Sequence, residues 1–116
     1  MSRLLDCMAS YGADIEGVLD RFMDDEELYA TCLQEFVETT DINKLKSDID
    51  AGSYDEAFEI AHAFKGVTGN LGLTPLFESA CVLVESLRHK QYDNLDNEYC
   101  DVNEKFTDFL KVYKSI

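Results

Sequence analysis

The apolar residues of this chain recur by threes and fours, and that spacing limits what it can fold into more than any other feature. Leu95, Tyr99, Val102, Phe106, Phe109 and Tyr113 alternate steps of four and three. A helix gathers such positions onto one stripe, whereas a strand, with its period of two, would scatter them over both faces. The usual punctuation of a many-stranded sheet is scarce, with one proline and six glycines. The chain reads as all-α.

The same spacing places the other elements. Two short helices open the chain at about 3–10 and 14–23, with apolar sets Leu4, Leu5, Met8 and then Ile15, Val18, Leu19, Phe22. Asp24-Asp25-Glu26-Glu27 offers a capping acid and its partner three residues on, so a third helix starts there. It carries Tyr29, Cys32, Leu33, Phe36 and Val37 on one side. Ile42, Leu45 and Ile49 fall nearly opposite the Phe36 side at about 100° per residue, so a single straight helix would expose one set. A break is expected near Thr39-Thr40-Asp41, with Asp41 capping a short helix that ends at Gly52. Ser53 starts a helix running to about Asn70, and Thr74-Pro75 starts the next, a capping hydroxyl followed by proline at the first helical position. Four main helices with short connections predict an up-and-down antiparallel four-helix bundle with short additional N-terminal helices. A chain of 116 residues has room for one domain, 1–116.

Charge narrows the partners. Against 10 Lys and Arg stand 24 Asp and Glu, a formal charge of −14. Nucleic acid would need a basic stripe, and an anionic membrane surface is disfavoured for the same reason. Protein partners, docked through local patches, are expected. The N-terminal residues have no apolar signal core and no stretch approaches a membrane span, so a cytoplasmic location is expected. Cys7, Cys32, Cys81 and Cys100 lack CxxC spacing and are expected as free thiols, the last three as small core fillers.

Chemistry concentrates in Glu59-Ile-Ala-His62-Ala-Phe-Lys65-Gly66-Val-Thr-Gly69-Asn70-Leu71-Gly72. On a helical wheel, Ala57, Ile60, Ala61, Phe64, Val67, Thr68 and Leu71 spread over the side opposite His62, which points the imidazole at solvent. Around it lie Asp55, Phe58, Glu59, Lys65, Gly66 and Gly69. Each glycine inside a helix costs up to about 1 kcal/mol relative to alanine. Bare backbone at Gly66 and Gly69 would let another protein approach the imidazole, and Lys65 is placed to offset negative charge there. Phe58, about 40° from His62 on the wheel, would belong to an apolar docking surface. Imidazole is both partly neutral and nucleophilic at cellular pH. Phosphoryl transfer asks mainly for alignment and charge stabilisation, so the combination suits a phosphohistidine carrier.

The run from Ala61 to Gly72 resembles the signature of histidine-containing phosphotransfer (HPt) domains, H-x-x-K-G followed by an apolar residue and glycine near the helix end. His62, Lys65, Gly66, Leu71 and Gly72 fall on matching positions, while Phe64 stands where the family usually has leucine. The acidic start, Leu28-Tyr29, Leu76 and Arg88 are similar to small single-domain HPt proteins, and the likeness covers about residues 12–114. The resemblance implies a phosphorelay carrier, with His62 phosphorylated on its outer nitrogen and no kinase activity of its own. It also implies response-regulator receiver domains and hybrid histidine kinases as partners. Mg²⁺ would be held by the receiver, so no cofactor or metal site is expected in this chain. A hydrogen bond would orient the other ring nitrogen, with Glu85 on the next helix as the candidate. A monomer is the simplest expectation.

Three rival readings are weaker. Glu59-x-x-His62 has the spacing of a carboxylate-bridged metal bundle, but such sites need two of these motifs facing inward. The other histidine, His89, has Glu85 at four residues rather than three, and Arg88-His89-Lys90 suits a helix C-terminus on charge alone. The stretch from Asp41 to Asp50 suggests a calcium loop but carries Lys46 where glycine is required. The substantial alternative is a non-catalytic interaction module of a two-component system. Such a module has no need of His62 and Lys65 together.

Overall fold

The computed structural model describes residues 2–116. Among them are seven helices and no strand: α1 (Arg3–Tyr11), α2 (Ile15–Arg21), α3 (Glu26–Thr39), α4 (Asn43–Asp50), α5 (Tyr54–Asn70), α6 (Thr74–Arg88) and α7 (Leu95–Lys114). The expected all-helical architecture is present, with α3, α5, α6 and α7 as the long elements. None of these helices is long and apolar enough to cross a membrane.

The stripe on α7 does what its spacing requires. Leu95, Tyr99, Val102, Phe106 and Phe109 are buried, and Tyr113 lies half-buried at the end. Phe106 and Phe109 meet Phe36 of α3 and Phe64 of α5 in one aromatic cluster, ring centroids 5.7–6.3 Å apart and mostly edge to face. That geometry sets the positive ring edges against the negative faces. Phe64, the departure from the family's leucine, is therefore a core residue.

The break between α3 and α4 occurs where the two apolar sets demand it, since Phe36, Leu45 and Ile49 are all buried. Asp41 accepts a hydrogen bond from the backbone N–H of Asn43 at 2.9 Å, although Ile42 occupies the cap position itself. Other helix starts differ in detail. Asp25, not Asp24, caps α3, accepting from the N–H of Leu28 at 3.0 Å. Met23 and Asp24 adopt left-handed backbone (φ 52° and 62°), which ends α2 at Arg21 rather than at residue 23. Ser53 makes no side-chain cap bond. Thr74 lies inside α6 and donates its hydroxyl to the Gly72 carbonyl at 3.4 Å, so Leu73 holds the cap position. Pro75 sits in the first turn, where its missing N–H breaks no helical bond.

The chain turns from α5 to α6 through Leu71, Gly72 and Leu73, with Leu71 and Leu73 buried. Gly72 has φ 68°, and a Cβ there would stand 2.5 Å from Val18 Cγ2. Only glycine meets both conditions. The four cysteines are free, but Cys100 is exposed and Cys32 and Cys81 are only half-buried, so the expectation of core fillers fails for Cys100. Its position on α7 follows Tyr99, which faces inward and turns Cys100 out.

Candidate functional site

Helix α5 divides as its sequence requires. Ala57, Ala61, Phe64 and Thr68 are buried on one face, and His62 is exposed on the other. The site is thus an outward-facing imidazole on a helix whose opposite face is clamped in the core. A clamped helix fixes the Cα of His62; side-chain neighbours must do the rest.

One turn before His62, Phe58 is half-buried, and its ring stacks on the imidazole with centroids 5.5 Å apart and planes 24° from parallel. The guanidinium of Arg88, from the end of α6, lies over the same phenyl ring, 5.3 Å from its centroid. Glu85 reaches Arg88 Nε at 3.3 Å and His89 Nε2 at 3.2 Å. Glu85 is thus engaged along its own helix, which corrects the expectation that it orients the His62 ring across the helix pair.

Lys65 lies one turn after His62 and is half-buried, its carbonyl accepting the Thr68 hydroxyl at 3.1 Å. The two glycines part company. A Cβ built at Gly66 meets no described atom within 4 Å, so the helix surface there is open. A Cβ at Gly69 would stand 2.9 Å from the Phe77 ring. Gly69 therefore admits Phe77 of α6 onto α5; the expectation that it leaves the approach to His62 open is corrected on that point. Arg88 and Phe77 went unassigned as site neighbours from the sequence. Both follow from one signal, the antiparallel pairing of α5 and α6 about the turn at Gly72, which sets Phe77 beside Gly69 and Arg88 beside Phe58.

Beyond Gly66, a groove of about 700 Å³ opens between α3, α4 and α5, with Cys32, Phe36, Ile60, Phe64 and Val67 among its apolar lining. Val67 is 44% exposed there. The segment from Asp41 to Asp50 borders it as a helix rather than an ion-binding loop.

The end of α5 is tied down by other elements. Arg21 Nε donates to the Asn70 carbonyl at 3.0 Å, the Tyr29 hydroxyl to that of Leu71 at 2.9 Å, and the Asp14 N–H to that of Gly72 at 2.9 Å. Terminal helix carbonyls have no partner within their own helix, so these bonds fill open acceptors, of which that of the buried Leu71 would otherwise be orphaned. Burial pushes the Tyr29 phenol up to about 12, against the opposing pull of the Arg21 charge.

The sequence model of the Hpt domain family matches residues 27–110. No curated protein and no solved structure matches the chain. The matched span takes in α5, α6 and the groove, and leaves α1 and α2 outside it.

Proposed function

Because the chain belongs to the Hpt domain family, phosphocarriers that work with receiver domains in phosphorelays, we propose that it takes a phosphoryl group on His62 from the aspartate of one receiver and delivers it to another. The observation that supports this most directly is the exposed His62 with open backbone at Gly66 one turn on. In the accepting step, the lone pair of the outer ring nitrogen attacks phosphorus. The N–P bond forms as the acyl-phosphate O–P bond breaks, and the receiver's aspartate leaves as a carboxylate. Delivery reverses these bonds.

Lys65 offsets the charge of the phosphoryl oxygens from this chain's side. The receiver's acidic pocket supplies Mg²⁺ on the other, and this chain brings no metal, cofactor or kinase activity. Gly66 and Phe58 lie in the docking surface, and Gly69 supports it by seating Phe77. The whole of 1–116 acts as one domain with its core at about 12–114. It works as a cytoplasmic monomer, serving hybrid histidine kinases and response regulators and binding neither nucleic acid nor membrane.

The groove beside Gly66 favours a second reading, an interaction module that binds receivers without relaying phosphate. Labelled phosphate presented on a pre-phosphorylated receiver with Mg²⁺ separates the two. Acid-labile, base-stable label on wild type and none on His62→Gln supports the relay. No label on wild type across several receivers favours the module, and label on both proteins moves the site to another residue.

A further inference from the structure

Resting on that relay reading, we infer that Phe58 is a positioning residue, whose ring, braced by Arg88, holds the His62 imidazole in the orientation that presents its outer nitrogen. An exposed histidine on a helix has two free side-chain torsions, and freezing them is an entropic cost that a transfer reaction otherwise meets at the moment of docking. Here the cost is met in advance. The imidazole stacks on Phe58 at 5.5 Å and 24°. Such offset stacking sets the ring plane and leaves its edge, where the nitrogens are, outside the stack.

Phe58 is itself held from two sides. Its Cα rides on α5, and the Arg88 guanidinium of α6 covers its ring at 5.3 Å. Arg88 is in turn fixed by Glu85 at 3.3 Å. A cation over an aromatic face is attractive even where water is near, and the side chain of Arg88 is 44% exposed. The chain of contacts thus runs from Glu85 through Arg88 and Phe58 to His62. It lies on the α6 side of the imidazole, away from the open surface at Gly66, so it constrains the ring without occupying the approach. Phe58 touches no reacting atom in this scheme; it acts through His62.

The test compares Phe58→Leu, which keeps an apolar side chain, with Phe58→Tyr, which restores the ring. Two readouts are taken. One is single-turnover phosphoryl transfer from a phosphorylated receiver, as a function of receiver concentration. The other is the proton NMR shift of the His62 ring, which stacking on Phe58 moves from its free value. Phe58→Leu is expected to lower the saturating transfer rate roughly two- to tenfold, the kinetic equivalent of one aromatic pair. Half-saturation should move less than the saturating rate, the His62 shift should return toward the free value, and Phe58→Tyr should restore both the rate and the shift. A wild-type rate in Phe58→Leu, or a loss confined to half-saturation, overturns the inference and leaves Phe58 a docking contact. Equal loss in Phe58→Tyr overturns it as well. If wild type accepts no label from any receiver, the relay reading fails, and the NMR comparison still decides positioning: a displaced His62 shift that Phe58→Leu abolishes supports it, and an undisplaced one sinks it.

Discussion

A Cβ at Gly66 would enter open space, while one at Gly69 would press on Phe77, so two glycines of the same helix face answer different needs. Replacing a helical glycine by alanine gains about 0.5–1 kcal/mol when nothing is disturbed. Gly66→Ala should show that gain in urea unfolding while slowing receiver-dependent labelling, and Gly66→Leu should slow it further with the fold intact. Gly69→Ala should fall short of the gain, because Phe77 must shift. Equal stabilisation at both positions would contradict the packing described for Gly69. Lys65→Ala is expected to slow transfer or shorten the lifetime of phosphohistidine severalfold, since removing one charge-stabilising contact to a phosphoryl group costs about 1–2 kcal/mol in the transition state. Unchanged labelling and decay would take Lys65 out of the mechanism.

Helix α5 shows how much of the site was legible from the chain alone. Its outward His62 and inward Phe64 follow from local periodicity, because a helix with one buried face has no other way to arrange them. The break before α4 was legible for the same reason. What periodicity alone could not give was anything set by one helix on another: the Arg88 guanidinium over Phe58 and the Phe77 ring against Gly69. Those depend on the register of α5 against α6, which the short turn at Gly72 sets and periodicity along either helix leaves free. Cap identities failed for a smaller reason, since adjacent candidates such as Asp24 and Asp25 differ only in backbone conformation. The end of α5 carries its own prediction. Tyr29 stays protonated in the fold to about pH 12, while in the unfolded chain it ionises near 10. Between those values the unfolded state binds fewer protons, so stability falls as pH rises. Tyr29→Phe should be less stable at pH 7 by about 1 kcal/mol for the lost bond to Leu71, yet lose less between pH 10 and 12. Parallel losses in the two proteins would separate Tyr29 from the alkaline transition.

At the scale of the whole molecule, a charge of −14 on 116 residues works against compactness. Added salt screens that repulsion over about 10 Å at 0.1 M. Raising NaCl from about 10 to 200 mM is therefore expected to lift Tm by a few degrees, and by more in the phosphorylated form, which carries roughly two further negative charges. A flat response would mean that pairs such as Lys46 with Asp50 and Asp96 already neutralise the field locally. The bonds from Arg21, Tyr29 and Asp14 to the carbonyls closing α5 reach furthest at this scale. Helices ordinarily fray from their ends, and amide hydrogens there exchange with solvent long before the core opens. This one cannot fray without breaking its bonds to α2 and α3, so the amides that follow His62 are expected to exchange more slowly than those of an untethered helix end. The imidazole faces water from a helix moored at the end that follows it, a surface group on an anchored mount.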